Sequence, residues 1–211
     1  MTEDEARAWL AAQHVSRETV DSITAFVDFL FQEGESQNLI SASSRAHVWA
    51  RHIVDSAQLA FIAQAQEAPD GPWLDLGSGA GFPGLIIAAL MHRPVILVES
   101  RRKRADFLIA AADILGVSDH VKVDGRRLEL IETQKVGVIS ARAFAPLERL
   151  FPLAERFSRS ETLWLLPKGR SAQSELADAR KTWQGAFHVE QSVTDPEAAI
   201  IVARGVRRGK K

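Results

Sequence analysis

The segment Asp75-Leu76-Gly77-Ser78-Gly79-Ala80-Gly81-Phe82-Pro83-Gly84 constrains this chain more than any other. Trp73-Leu74-Asp75-Leu76 reads as a short strand. The residues from Pro83 to about Met91 read as a helix with proline in its first turn. A glycine loop between a strand and a helix is where open α/β sheets hold a ligand, beyond the strand C-termini. Glycines let the backbone turn tightly and let a ligand approach the main chain. The spacing is not the dinucleotide fingerprint, because the sixth position counted from Gly77 is Phe82. A P-loop is excluded, since no Gly-Lys-Ser/Thr follows. Glu99 ends the next predicted strand, where a carboxylate can accept hydrogen bonds from both hydroxyls of a ribose. That position suits more than one nucleoside cofactor.

The pattern around this loop divides the chain. Residues 2–34 read as helical. Thr2 and Glu5 have capping-box spacing, and Ser16 caps a second helix with Val20, Ile23, Phe26, Val27, Leu30 and Phe31 on one face. Gly34 is its expected stop. Ser44 is expected to cap a third helix over about 45–64, and Ala68-Pro69-Asp70-Gly71-Pro72 is the clearest break. From residue 73, strands at 73–76, 95–98, 121–123, 136–140 and 163–166 alternate with helices near 83–91, 102–115, 147–157 and 171–182. Phe187 to Gln191 and Ala199 to Ala203 close as two antiparallel strands. This predicts an α/β fold with a doubly wound, mostly parallel sheet. The expected organisation is an N-terminal helical extension (1–68), a Rossmann-like domain (69–206) and a short basic tail (207–211).

Composition bears on partners and chemistry. The chain lacks cysteine, which excludes disulfides, thiol nucleophiles, zinc ribbons and iron–sulfur ligation. The formal net charge of −1 conceals an asymmetry. Residues 1–35 carry eight acids and two bases, while the rest of the chain carries 19 acids and 24 bases. The bases cluster at Arg101-Arg102-Lys103-Arg104 and in Arg204-Gly205-Val206-Arg207-Arg208-Gly209-Lys210-Lys211, a tail expected to be mobile. Such runs suit phosphate contacts as well as solvation. No stretch approaches the roughly 18–20 apolar residues of a membrane span, and the N-terminus is acidic where a signal peptide is basic. The cytoplasm is the expected location, and nothing demands an oligomer, so a monomer is expected.

The Gly-x-Gly-x-Gly spacing with Asp75 two positions ahead resembles motif I of S-adenosylmethionine-dependent methyltransferases. Further segments occur in an ordered set: Asn38-Leu39-Ile40, Arg51-His52-Ile53-Val54-Asp55-Ser56, Glu99-Ser100 with Lys103-Arg104 and Phe107-Leu108, Val138-Ile139-Ser140-Ala141-Arg142-Ala143-Phe144-Ala145, and Lys168-Gly169. Together with the glycine loop they resemble the bacterial 16S ribosomal RNA guanine-N7 methyltransferases, the RsmG (GidB) family, over about residues 36–204. The family often has Asn-Leu-Thr where Ile40 follows Leu39 here, and an Asp just before the fourth strand, where Lys135-Val136 stand.

The resemblance implies a class I methyltransferase fold, S-adenosylmethionine as cofactor, and 16S ribosomal RNA or the small ribosomal subunit as partner. Its cofactor site would include Asp75, Gly77, Ser78, Gly79, Gly81 and Phe82 from the loop, Glu99, Arg127 and Leu128 after the third strand, and Arg142 after the fourth. Arg142 and Lys168 would orient the substrate. Arg101, Arg102, Lys103, Arg104, Arg126, Lys168, Arg207 and Arg208 would contact RNA. Guanine N7 is a lone-pair acceptor without a proton, so no general base and no metal are expected. His52 and Asp55, three apart on a helix, could face one another and are expected to make a structural hydrogen bond between helix and core, with contact to cofactor or RNA as the alternative. His14, His92, His120 and His188 read as scattered. A methyltransferase of another substrate and a non-catalytic ribosome-assembly factor remain the alternatives.

Overall fold

Strands of four residues with no polar face, such as Val95-Ile96-Leu97-Val98, must be covered on both sides. In the computed structural model, which describes residues 1–209, they are. Seven strands form one sheet: β1 (Trp73–Leu76), β2 (Val95–Val98), β3 (Val121–Asp124), β4 (Val138–Ala141), β5 (Leu163–Lys168), β6 (Trp183–Gln191) and β7 (Ala199–Arg208). Their order is β3-β2-β1-β4-β5-β7-β6. Neighbours from β3 to β5 pair in parallel, and β7 runs antiparallel to both β5 and β6.

Alternate residues of each strand serve two apolar layers. Trp73, Val95, Leu97 and Val138 join one, whereas Leu74, Leu76, Ile96 and Ile139 join the other. The first layer is covered by α1 (Glu3–Ala12), α2 (Arg17–Glu33), α4 (Asp55–Ala65), α5 (Gly84–Leu90) and α6 (Arg102–Leu115). A four-residue α3 (Ala42–Arg45) precedes α4. The second layer is covered by α7 (Leu147–Ala154) and α8 (Ala172–Ala179). The N-terminal helices thus share a core with the sheet and have none of their own. Phe26 of α2 meets Phe82 edge-on at 5.7 Å, so the extension supports the glycine loop from behind.

The helix starts at Thr2 and Ser16 are as the sequence predicts. Thr2 and Glu5 form the capping box, and Ser16 accepts the Thr19 amide. Glu3, one of the acids of the head, accepts the amides of Trp49 and Ala50 at 3.1 and 3.0 Å. Gly116 ends α6 in the left-handed region at φ +70°.

Four expectations need correction. The third helix is not one unit capped by Ser44. Ser41 caps α3 by accepting the Ser44 amide, and a wide π turn (Trp49–Val54) then leads into α4. Residue type alone could not choose between two serines three positions apart. Strand β4 begins at Val138, because Val136 bonds to Phe157 and Gly137 to Pro72. Strand β5 continues through Pro167 and Lys168, paired with β7. The basic segment 204–208 is no free tail: it completes β7, with Arg207 opposite Gln184 and Arg208 opposite Trp183. Edge strand β6 hid this pairing, because Gln184, Gly185 and Ala186 are exposed and show no apolar alternation. Lys210 and Lys211, the rest of the tail, lie outside the described residues.

Candidate cofactor and substrate site

The loop after β1 is held by a buried polar chain. Asp75 is 0% exposed. Its Oδ1 accepts from Ser140 Oγ at 2.7 Å and its Oδ2 from the Gly84 amide at 3.2 Å. Ser140 Oγ in turn accepts from Trp73 Nε1 at 2.8 Å. Burial pushes the Asp75 carboxyl up, and hydrogen bonds from Ser140 and Gly84 oppose that shift. Both oxygens face protein donors, so Asp75 shapes the loop from beneath. This places it as a positioning residue, not as the direct cofactor contact expected from sequence.

Above it, Gly77, Gly79 and Gly81 all have positive φ, at +68°, +58° and +92°. At Gly79 a Cβ would make only ordinary van der Waals contact, with the Gly77 carbonyl at 3.7 Å and Arg104 at 3.8 Å. Glu99 stands beside it, 7% exposed at the end of β2. Its Oε2 accepts the Gly79 amide at 3.1 Å and its Oε1 the Arg101 amide at 2.8 Å. A carboxylate has about four acceptor sites, so Glu99 retains capacity for two ribose hydroxyls. An uncrowded glycine backbone beside an acceptor-rich carboxylate fits an adenosyl group. Ser78 and Phe82 are buried within the loop.

The other expected residues fall into three groups. Arg126 is tied to Asp124 at the end of β3 through 2.9 and 2.7 Å bonds, which hold the Asp124 carboxyl below the usual carboxylate range. Arg127 precedes a single 3-10 turn whose Leu128 is buried. Arg101, Arg102 and Lys103 are exposed at the start of α6, whereas Arg104 donates to the Asn38 carbonyl at 2.8 Å. These, with Arg142 and Lys168 after β4 and at the end of β5, gather at the loop end of the sheet. Arg207 and Arg208 do not. Because β7 is antiparallel, they extend past the start of β5 at the opposite end. The single basic face expected from sequence is therefore split.

Arg142 is the most constrained of the cations. One Nη donates to Asp55 Oδ2 and to the Arg51 carbonyl, both at 3.2 Å, and the other to His52 Nδ1 at 2.9 Å. His52 stacks on Phe82 at 4.8 Å, and the Arg142 guanidinium lies over the same ring at 5.4 Å. His52 and Asp55 thus meet through Arg142, not through each other. Since Nδ1 accepts, the neutral imidazole carries its hydrogen on Nε2, which is buried without a partner among the described residues.

Burial, with the charges of Arg142 and Arg51, lowers the His52 pKa to about 3. The native imidazole is neutral, while the unfolded chain takes up a proton near pH 6.5. The stability this contributes is complete above the unfolded value and is lost as pH falls toward 3. Moving from pH 7.5 to pH 5 should therefore cost about 2 kcal/mol more in the wild type than in His52→Gln. Guanidinium unfolding at the two pH values measures this, and equal losses in both proteins would contradict it.

A cavity of about 490 Å³ opens beside Arg142, bounded by Phe144, Pro146, Pro167, Lys168 and Glu175 among others. Phe144 also covers Gly77: a Cβ there would come within 2.5 Å of its ring. The cavity therefore shares a wall with the loop. Lys168 Nζ donates to Glu175 Oε2 at 2.8 Å and to the Ala145 carbonyl at 3.0 Å. Burial pushes the Glu175 carboxyl up, but the Lys168 and Ser171 hydrogen bonds and the lysine charge more than reverse this. Sequence reasoning missed Glu175, Ser140 and Asp124. Asp124 carried a signal as an acid at a strand end, and Ser140 lay within the Val138–Ala145 segment without being singled out.

At the opposite end of the sheet, His92, Asp119 and His120 present ligand atoms within 4.8 Å of one another. The expectation that His92 and His120 are scattered is therefore wrong, since their rings lie 4.9 Å apart.

A seven-stranded sheet of this order, with a glycine loop after β1 and an acid after β2, defines a class I methyltransferase. The solved structures agree on the fold. A putative O-methyltransferase from Klebsiella pneumoniae superposes with a TM-score of 0.65 at 14% identity, covering 96% of each chain. An O-methyltransferase from Bacillus cereus, solved in complex with SAH, gives 0.57 at 15% identity over 85% of this chain and 90% of its own. Residues 19–202 match the GidB family, described as rRNA small subunit methyltransferase G. The chain is 55% identical to the ribosomal RNA small subunit methyltransferase G of Rhizorhabdus wittichii, covering 100% of this chain and 96% of that one. The chain belongs to the rRNA small subunit methyltransferase G family, whose methyl donor is S-adenosylmethionine.

Proposed function

We propose that this enzyme methylates N7 of a guanine in the decoding-region loop of 16S ribosomal RNA. The observation that carries this reading is the state of the titratable groups held by Arg142 and Lys168. Asp55 is paired with Arg142, Glu175 with Lys168, and His52 is a neutral acceptor toward Arg142. None of the three is set up to take a proton from a substrate. Guanine N7 has none to give.

S-adenosylmethionine supplies an electrophilic methyl on sulfonium. That methyl would pass to the N7 lone pair, the S–C bond breaking as the N–C bond forms, with a neutral thioether left on the donor and a positive charge on the base. The chain's part is alignment, which can supply much of a rate enhancement. Glu99 and the glycine loop would hold the adenosyl group. Lys168 has one N–H to spare and Arg142 more than one, after the bonds described above. Either can donate to guanine O6, next to N7, and so fix the base. Arg101, Arg102, Lys103, Arg126 and Arg127 lie where RNA phosphates would pass on the way to the cavity.

We place the enzyme in the cytoplasm as a monomer. Among the described residues no helix is long and apolar enough to cross a membrane. The transfer to N7 calls for no metal ion.

Deleting the gene in its host and mapping 7-methylguanosine in 16S ribosomal RNA by borohydride–aniline cleavage tests the reading. One site should vanish and return on complementation with the intact chain. If no cleavage site is lost, the acceptor is some other group, and the alternative of another methyltransferase substrate takes its place.

A further inference from the structure

The Lys168–Glu175 pair is poorly accounted for as a stabilising device. The two side chains are only 12% and 23% exposed. Half-buried ion pairs contribute little net stability, because desolvation offsets their attraction. Their position is more informative. The pair lies at the wall of the 490 Å³ cavity, whose apolar sides are Phe144, Pro146 and Pro167. Flat apolar walls with a few polar groups on one side are the usual form of a site for a planar heterocycle.

The unused valences of the pair have a definite pattern. Lys168 Nζ has spent two hydrogens, on Glu175 and the Ala145 carbonyl, and keeps one. Glu175 Oε2 is engaged by Lys168 and the Leu147 amide, whereas Oε1 accepts from Ser171 alone. The cavity thus meets one donor beside one carboxylate acceptor. Guanine presents an acceptor, O6, beside two donors, N1–H and the 2-amino group. Adenine presents a donor, its 6-amino group, beside an acceptor, N1. The pair complements the first edge and repels the second.

We propose that Glu175 is a specificity-determining residue of the methyl-transfer site. The remaining acceptor site on its Oε1 takes the 2-amino hydrogen of the target guanine while Lys168 donates to O6, with Phe144 stacked against the base. This rests on guanine being the acceptor. It goes further in naming the group that reads the base edge remote from N7 and in making the cavity by β5 the base pocket.

Small ribosomal subunits lacking the modification, reconstituted with guanosine or inosine at the target position, supply the test. Inosine keeps O6, N1–H and N7 but lacks the 2-amino group. Wild type should transfer methyl groups to guanosine about tenfold or more faster, by kcat/KM, than to inosine, the effect of one charge-assisted hydrogen bond. Glu175→Gln should lower kcat/KM on guanosine about tenfold to a hundredfold and bring the guanosine-to-inosine ratio close to one. Its affinity for S-adenosylhomocysteine and its melting temperature should stay near wild type. Where turnover of the variant is too slow to read, filter-retention affinities for the two subunits give the same ratio. A variant that keeps the wild-type ratio, or a wild type with no preference, overturns the proposal. Failure of the guanine reading itself would look different: wild type would leave the guanosine subunits without 7-methylguanosine.

Discussion

Replacing Asp75 by alanine should lower the melting temperature by roughly 4–24 °C and remove most of the affinity for S-adenosylhomocysteine. The carboxylate accepts from the Gly84 amide and from Ser140 Oγ, both in the closed interior of the loop. Ser140 cannot simply turn away, because its oxygen already accepts from Trp73 Nε1. Alanine would leave two buried donors without partners, at about 1–3 kcal/mol each. For a chain of this size each kcal/mol corresponds to about 2–4 °C. The affinity would fall because the Gly84 amide anchors the far end of the glycine loop to β1. The Asp75→Asn variant should lie between wild type and Asp75→Ala, since an amide keeps one acceptor and turns a donor toward the other partner. Thermal unfolding and calorimetry with S-adenosylhomocysteine measure both effects. A melting temperature within about 2 °C of wild type would show that the buried chain is not what holds the loop.

Arg142→Ala should reduce turnover about a hundredfold, the scale set by misplacing reacting groups, with a much smaller change in stability. Arg142, in the wall of the cavity, ties together Asp55, His52 and the Arg51 carbonyl over the Phe82 ring of the glycine loop. Its removal would free Asp55 Oδ2, while Oδ1 would still accept from Gln58 at 3.0 Å and from Thr194 at 3.3 Å and hold the carboxylate in place. The loss should therefore appear in the alignment of the substrate and not in the fold. Arg142→Lys should not restore activity, because a point ammonium cannot engage three partners in a plane. Single-turnover methylation of small subunits, alongside calorimetry with S-adenosylhomocysteine, checks this. Unchanged turnover together with unchanged affinity would remove Arg142 from the site.

The two predictions probe different depths of the site, and they differ in how far sequence could see them. Asp75 was marked by its place before the glycines, yet its role as a buried pin depends on Ser140, 65 residues away on β4. Arg142 was marked by its place after β4. Its partners His52 and Asp55 were marked by their spacing on a helix and by the Arg51–Ser56 segment. Nothing in that spacing showed that a π turn would bring both toward a guanidinium about 90 residues further on.

The fold class, the alternation of strands and helices up to β5 and the end of the sheet that holds the cofactor were legible in the sequence alone. Each rests on a contiguous signal: apolar runs for strands buried on both faces, glycine and proline punctuation, and a loop in its strand-to-helix setting. Tertiary structure decided the rest. It tied Arg207 and Arg208 into β7 at the far end of the sheet, because that strand runs antiparallel to β5. It joined the extension to the core of the sheet, and it set Glu175 against Lys168 where the cavity opens. Those contacts join residues from separate elements. Their geometry follows from how two apolar layers pack, which no local pattern of residues encodes.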